Sequence, residues 1–451
     1  MSYASFIEAK SHLPAGMGFK PTFMPDFLYD FQESLTEWAI ETGRSAMFAD
    51  CGMGKTPMQL VWAQNVIEKT VKPVLILAPL AVSQQTIEEA EKFDIDAVRS
   101  MDGSMPSSPK IITTNYERLH YFNADDFAGV VCDESSIMKN FDGVRKGQIT
   151  EFMKKVPYRL LCTATAAPND YIELGTSSEA LGRMGYMDML SQFFKNDQDS
   201  ISPAFFKAQW RFKRHAENDF WRWVCSWARS CRRPSDLGFD NRDFMLPELR
   251  EIESIVESPV AFGEMFAKPS LSLNEQRQEN RDTIESRCSM AAEKLTGCPS
   301  AIAWCHLNAE ADLLAKLIPG AVQVKGPDSD ERKEEVFTAF RKGQIPALVT
   351  KPRIAAFGMN WQHCHSMSYF PTHSFEQYYQ AVRRCWRFGQ THRVDVHVVT
   401  SEAQTGTLRN LQKKERACVE MFERIVTHMQ DALKIIPLNQ FSKAQEMPSW
   451  L

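Results

Sequence analysis

Ala46-Met47-Phe48-Ala49-Asp50-Cys51-Gly52-Met53-Gly54-Lys55-Thr56-Pro57-Met58-Gln59-Leu60-Val61-Trp62 is the stretch on which the reading of this chain turns. Ala46-Met47-Phe48 reads as a short buried strand, and the residues from Pro57 read as the first turns of a helix. A glycine-bearing loop between strand and helix directs backbone N–H groups at an anion, and the helix dipole adds to that pull. Gly52, Met53 and Gly54 would form the cradle, Lys55 would reach the β- and γ-phosphates, and the Thr56 hydroxyl would ligate Mg²⁺. The general phosphate-loop pattern has glycine at position 49, where this chain has alanine.

A second half-site follows. Gly129-Val130-Val131-Cys132 is an apolar strand ending in Asp133-Glu134. An Asp at the carboxyl end of a parallel strand is where such folds hold a Mg²⁺–nucleotide, and the neighbouring Glu polarises the attacking water. The bland reading is an acidic pair capping a helix at Ser135-Ser136. Two half-sites in this order, each on a strand end, make an NTPase the better reading.

Length and composition agree. The 451 residues imply two or three domains, and 43% hydrophobic with 24% charged residues describe a globular chain. The longest apolar stretch, residues 74–82, contains Pro79 and is too short to span a bilayer, and the N-terminus lacks a basic-then-apolar signal. No membrane role is therefore expected. The eleven cysteines sit mostly singly in apolar strands, without a Cys-x-x-Cys pair, which suits buried thiols in a reducing, cytoplasmic compartment. His363-Cys364-His365 is a poor metal cluster, because adjacent residues on an extended chain point different ways. A net charge of −5 excludes a globally basic nucleic-acid binder, so such contacts must come from local patches.

Strand and helix patterns alternate twice. Strands are expected at 46–49, 74–78, 110–114, 129–132 and 159–163, then at 301–305, 321–324, 346–349, 366–370 and 394–399. Short Val/Ile/Leu-rich strands separated by helices imply parallel sheets covered on both faces, and two such runs imply two doubly wound α/β lobes. Between them the strand signal gives out and helical patterns take over, with 274–295 as a linker helix. The expected division is a nucleotide-binding lobe at 1–169, a helical insertion and linker at 170–299, a second lobe at 300–402 and a helical tail at 403–451.

The second lobe has no phosphate loop but carries Gln380-Ala381-Val382-Arg383-Arg384-Cys385-Trp386-Arg387-Phe388-Gly389-Gln390. On a continuous helix Gln380, Arg384 and Arg387 share one face, so two guanidiniums could point across a cleft and stabilise transition-state charge on a γ-phosphate. Arg383 and Arg393 are read instead as solvated or phosphate-backbone residues. A third constellation lies at 205–233. There Lys207, Arg211, Lys213, Arg214, Arg222, Arg229, Arg232 and Arg233 face only Glu217 and Asp219, a local charge of +6, interleaved with Trp210, Trp221, Trp223 and Trp227. Basic residues among aromatics can track a phosphate backbone. The alternative is a small tryptophan core with arginines solvated outside, and the reading adopted takes Trp as core and Arg229, Arg232 and Arg233 as backbone contacts.

These motifs, in this order, resemble superfamily-two helicases, and most closely the Swi/Snf-type branch of DNA translocases in a compact phage- or bacterially encoded form. Tyr29-Asp30-Phe31-Gln32 is similar to the adenine-reading glutamine motif, Ala49–Thr56 to the phosphate loop, Val74–Pro79 to the next block, and Ile112-Thr113-Thr114-Asn115-Tyr116-Glu117 to the one after it. Asp133-Glu134-Ser135-Ser136 is similar to the acidic box, and Thr163-Ala164-Thr165 to the coupling motif. In the second lobe, Gly358-Met359-Asn360 resembles the Gly-Leu-Asn step and Arg384–Gln390 the branch-specific arginine signature. The box ends in Ser135-Ser136 rather than the commoner Gly-His or Ala-Asp, and Pro352 and Arg353 lie where the family has paired glycines. The resemblance implies two RecA-like lobes with ATP and Mg²⁺ between them. It implies Gln32 and Gly358 at the nucleotide, Lys55, Asp133, Glu134, Gln380, Arg384 and Arg387 in catalysis, and Thr56 and Asp133 at the metal. Thr114, Asn115, Thr163 and Thr165 would couple hydrolysis to nucleic acid. Double-stranded DNA is the favoured partner and RNA the lesser one, and an ATP-gated clamp without sustained turnover is the alternative of a different class.

Overall fold

The computed structural model describes residues 17–139, 143–167, 170–196, 210–259, 272–355 and 359–435. In the first half of the chain the strands are β1 (Arg44–Ala49), β2 (Val74–Ala78), β3 (Ala97–Arg99), β4 (Ile111–Asn115), β5 (Gly129–Asp133) and β6 (Tyr158–Cys162). After a short antiparallel hairpin of β7 (Phe194–Asn196) and β8 (Trp210–Phe212) comes β9 (Ala228–Cys231). These, apart from the hairpin, make a seven-stranded sheet in the order β3-β4-β2-β5-β6-β1-β9, every pairing parallel. The second half supplies β10 (Leu249–Val256), β11 (Ala301–Trp304), β12 (Ala321–Gln323), β13 (Ala347–Thr350), β14 (Ser366–Tyr369) and β15 (Val394–Ser401). They form a six-stranded sheet, again wholly parallel, in the order β10-β15-β14-β11-β13-β12. Parallel strands need crossovers, and the intervening helices provide them while covering both faces.

The central strands β2, β4 and β5 are buried along their whole length, and full burial of a side chain such as Leu75 stabilises by roughly 1.5–3 kcal/mol. The helix Lys55–Thr70 reaches this sheet at close range. A Cβ at Gly129 would stand 3.1 Å from Val66 and Val74 and 3.3 Å from Trp62, so β5 starts with glycine where that helix presses on it. One apolar cluster runs continuously from Phe48, Leu75 and Trp227 in the first lobe to Trp304, Trp361 and Val396 in the second. The helix Thr405–Ile435 braces the two. Near its start Lys414 Nζ donates to the His373 carbonyl over 2.6 Å, and further on Arg424 pairs with Glu217 at 3.3 Å and Gln430 reaches the Asp236 carbonyl.

Two expectations are corrected here. The stretch 170–299 does not lose its strands: β9 closes the first sheet beside β1, and β10 closes the second beside β15. Both escaped the sequence reading for a physical reason. β9 carries Arg229 in mid-strand, and β10 (Leu-Arg-Glu-Ile-Glu-Ser-Ile-Val) is a largely exposed edge without the continuous apolar run of a buried strand. The expected linker helix is two helices, Leu273–Asp282 and Ile284–Leu295, parted at Thr283. The Thr283 hydroxyl bonds back to the Glu279 carbonyl and accepts from Arg287 Nε. Arg287 and Glu310 form an ion pair at 2.9 Å that is almost wholly buried.

Candidate active site

The loop after β1 takes the shape an anion cradle requires. Gly54 caps the following helix in the left-handed region at φ 74°, and a Cβ there would lie 2.2 Å from Gln32 Nε2, so both backbone and space demand glycine. The Gln32 amide is committed on both sides, donating to the Met53 carbonyl at 3.0 Å and accepting from the Tyr29 amide at 3.1 Å. It thereby ties the helix Asp30–Thr42 to the loop. Lys55 Nζ lies 3.1 Å from the Ala49 carbonyl and 3.4 Å from that of Asp50.

Lys55, Thr56, Asp133, Glu134, Arg384 and Arg387 line one cavity of about 90 Å³, together with Cys51, Gly52, Gly54, Gln85 and Glu89. A larger cleft of about 670 Å³ opens between the helices Leu80–Lys92 and Asp330–Arg341, and Gln85 and Glu89 line both spaces. Burial is the largest influence on the Asp133 and Glu134 carboxyls and raises both pKa values; Lys55 opposes the rise in each case. Gln59 also holds Asp133 down, while Asp133 raises Glu134 and Arg384 lowers it. Glu134 sits at φ 52°, a left-handed conformation rare outside glycine that costs of order 1–3 kcal/mol and is tolerated where function fixes it. Thr163 Oγ1 lies 3.4 Å from Glu134 Oε2, and the Thr165 amide donates to the Thr163 hydroxyl at 3.1 Å. Oxygen donors from Thr56 and Asp133 next to an ammonium suit a hard cation carrying phosphates.

Arg384 and Arg387 reach the cavity by a route the sequence did not suggest. The helix Phe375–Val382 stops before either of them. The Trp361 amide donates to the Arg384 carbonyl at 2.9 Å, and the chain continues in tight turns. Arg384 is then aimed by bonds to the Gln380 and Met359 carbonyls, and Arg387 by a bond to the latter. The single helix face expected for Gln380, Arg384 and Arg387 therefore does not exist. Gln380 is fully buried away from the cavity, and neither atom of its side-chain amide has a hydrogen-bond partner among the described residues. Arg383, expected as a solvated or phosphate-backbone residue, is buried. It pairs with Asp50 of the phosphate loop and lies 4.5 Å over the Trp386 ring. Arg393 is half-exposed beside Asp395.

The remaining expected residues divide. Thr114 is buried at the end of β4 with no partner for its hydroxyl among the described residues, and Asn115 caps the turn Tyr116–Tyr121 through the Arg118 amide. Trp221 and Trp227 are wholly buried, and Trp223 packs on Trp227. Arg229 lies 4.6 Å over Trp38 and Arg232 5.4 Å over Phe422, whereas Arg233 is exposed and paired with Asp236. His363 meets the Phe340 ring edge to face, Cys364 bonds the Ser300 carbonyl and His365 faces His392, so the three diverge. Gly358 and Lys207 lie outside the described residues. Sequence reasoning missed Asp50, Gln59, Glu89 and Tyr379. Only Gln59 left a signal, one helical turn after Lys55.

The two parallel sheets with their covering helices have the tandem RecA-like α/β fold. A variant of S. cerevisiae dbp5 bound to gle1 and ip6 superposes with a TM-score of 0.51 at 13% identity, over 88% of this chain and 92% of that one. The Sulfolobus solfataricus SWI2/SNF2 ATPase core in complex with dsDNA gives a TM-score of 0.44 at 15% identity, over 85% and 90%. Protein p41 of Acyrthosiphon pisum secondary endosymbiont phage 1 is 26% identical over 198 residues, 37% of this chain and 43% of p41, so the chain spans less than half of that relative's length. No family model matches the chain. No helix among the described residues is long and apolar enough to cross a membrane.

Proposed function

We propose that this protein is a nucleic-acid-dependent ATPase of the superfamily-two helicase type, a motor that moves along DNA. The observation that carries this reading is the single cavity lined by Lys55, Thr56, Asp133 and Glu134 from one lobe and by Arg384 and Arg387 from the other. Lys55 binds the β- and γ-phosphates, and Thr56 and Asp133 hold Mg²⁺, which when bound neutralises phosphate charge. Glu134 takes the proton of the attacking water. Its raised pKa suits that task, because a base poised nearer to neutrality balances readiness against driving force. Arg384 and Arg387 meet charge developing on the transferred group once the lobes are closed. The Thr165–Thr163–Glu134 chain of contacts supplies a route by which strain at the coupling motif reaches the base.

DNA is favoured over RNA by the Arg384–Gln390 signature, and turnover over clamping by the presence of both Glu134 and the paired arginines. The test is the ATP hydrolysis rate with double-stranded DNA, single-stranded DNA and RNA, run beside displacement of a third strand from a triplex. Stimulation by duplex DNA with triplex displacement is expected. Stimulation by RNA alone would move the reading to an RNA helicase, and tight ATP-dependent DNA binding without turnover would move it to a clamp.

A further inference from the structure

Three successive positions of the phosphate loop meet the second lobe. Asp50 accepts from Tyr379 and Arg383, Cys51 Sγ lies 3.9 Å from Arg384 Nη2, and a Cβ on Gly52 would stand 2.9 Å from the Phe388 amide nitrogen. Arg384 and Arg387 point into the nucleotide cavity, but Asp50, Tyr379 and Arg383 do not line it. Their contacts serve the loop itself. Asp50 Oδ1 takes the Cys51 amide at 2.6 Å together with the Tyr379 hydroxyl, while Oδ2 takes Arg383 Nη2.

We propose that Arg383 and Tyr379 are positioning residues that set the shape of the phosphate loop from the opposite lobe, through the Asp50 carboxylate. The inference rests on the nucleotide reading of the loop and deepens it, since the loop becomes complete only when the lobes meet. Asp50 is 1% exposed, and a buried carboxylate needs its donors. Parting the lobes removes two of the three named here and leaves only the adjacent Cys51 amide. Arg383 is itself held in one pose. Its Nε donates to the Tyr379 hydroxyl at 3.3 Å, its Nη1 donates to the Trp386 carbonyl at 3.2 Å, and the Trp386 indole is anchored on the Pro247 carbonyl at 2.8 Å. A guanidinium fixed on so many sides transmits lobe position to the loop instead of swinging to follow it. Arg383 thus differs in kind from its neighbours in sequence: Arg384 and Arg387 act on the phosphate, and Arg383 acts on the loop that receives it.

The test is a mutant cycle on the full chain, read as ATP affinity by calorimetry and as kcat and KM for hydrolysis. Arg383→Gln and Asp50→Asn are each expected to raise the Kd and KM for ATP by about tenfold, with a fall in kcat of no more than about threefold. The double variant is expected to match either single one within about twofold, because both break the same link. Arg383→Lys, which keeps the charge, is expected to recover most of the lost affinity. Unchanged affinity in a folded Arg383→Gln protein, or penalties that multiply in the double variant, would overturn the inference. Should Arg383→Gln fail to fold, Tyr379→Phe removes one hydroxyl only; it is expected to raise Kd by about threefold, and an unchanged Kd counts against the proposal equally. A wild-type protein that binds no ATP would remove the nucleotide reading and this inference together, whereas normal wild-type binding with an indifferent Arg383→Gln removes this inference alone.

Discussion

Gln59 Nε2 donates to Asp133 Oδ1 over 2.8 Å, so the helix that starts at Lys55 also grips the carboxylate at the end of β5. The bond is buried, with Gln59 and Asp133 both withdrawn from solvent. It fixes one oxygen of Asp133, a residue that lines the cavity. It also favours the charged form, offsetting part of the rise that burial imposes. Asp133 and Glu134 are adjacent, buried and both shifted upward, yet their surroundings assign them different work. Asp133 is held by an amide donor, while Glu134 lies in a strained backbone pose within reach of Thr163 and Arg384.

Glu134→Gln is expected to keep ATP binding and to lower turnover by about 10²–10⁴-fold, the usual contribution of a positioned general base. Pre-steady-state hydrolysis and nucleotide titration on the same preparation separate the two effects. Near-normal turnover would take Glu134 out of the role of base.

Arg384→Ala and Arg387→Ala are each expected to lower stimulated hydrolysis by more than about tenfold while changing ATP affinity only slightly, because they meet charge that develops in the transition state. Arg384→Ala should also report on packing, since the guanidinium holds the Gln380 and Met359 carbonyls. A loss confined to nucleic-acid binding, with chemistry intact per bound complex, would show that these side chains serve the backbone of the track.

Much of the scaffold was legible because it is made of short, largely apolar strands set between helical segments. Val74–Ala78 has the expected bounds, and β4, β5, β6, β11, β13 and β14 start or end within a residue of them. Of the edge strands, β12 was read, whereas β3, β9 and β10 were not: β3 is only three residues long, and β9 and β10 mix charge with apolar residues. The half-sites Lys55-Thr56 and Asp133-Glu134 could be read because each sits on one strand end with its chemistry in consecutive residues. Arg384 and Arg387 were found through a helical spacing that the chain does not use, as the helix ends at Val382. Asp50 and Arg383 could not be paired from sequence. They lie 333 positions apart, and nothing periodic in either segment announces a contact between lobes.

The basic segment around β9 now divides by packing. Arg229 and Arg232 lie over aromatic rings, and Arg233 stands in solvent. Arg229→Ala is expected to cost about 1–2 kcal/mol of stability through the lost stack on Trp38 and the lost aliphatic stem, with no change in the salt dependence of DNA binding. Arg233→Ala is expected to leave the melting temperature unchanged and to reduce the slope of log affinity against log salt by about one unit. Melting curves and a salt titration on both variants check this, and equal slopes for wild type and Arg233→Ala would remove Arg233 from the interface.

The brace helix carries a titratable group whose effect on stability has a definite sign. Burial, and then Glu251 beside it, push the Glu415 carboxyl from 4.5 up to about 7, while Arg232 and Arg416 oppose the rise. The folded protein therefore holds a proton there that the unfolded chain gives up at lower pH. The resulting stability is fully present below the unfolded value near 4.5 and is lost as pH rises through about 7. Glu415→Gln removes the titration and keeps a neutral, similar shape. Its melting temperature is expected to exceed that of wild type at pH 8, and the gap should shrink steadily toward pH 5. Glu251, which also accepts from the Tyr378 hydroxyl, is the neighbouring carboxylate that raises Glu415. In a Glu251→Gln background the Glu415→Gln gap should accordingly narrow at pH 8. Melts at constant ionic strength across pH 5 to 8 decide it, and a gap that does not vary with pH would mean that Glu415 ionises normally in the folded protein.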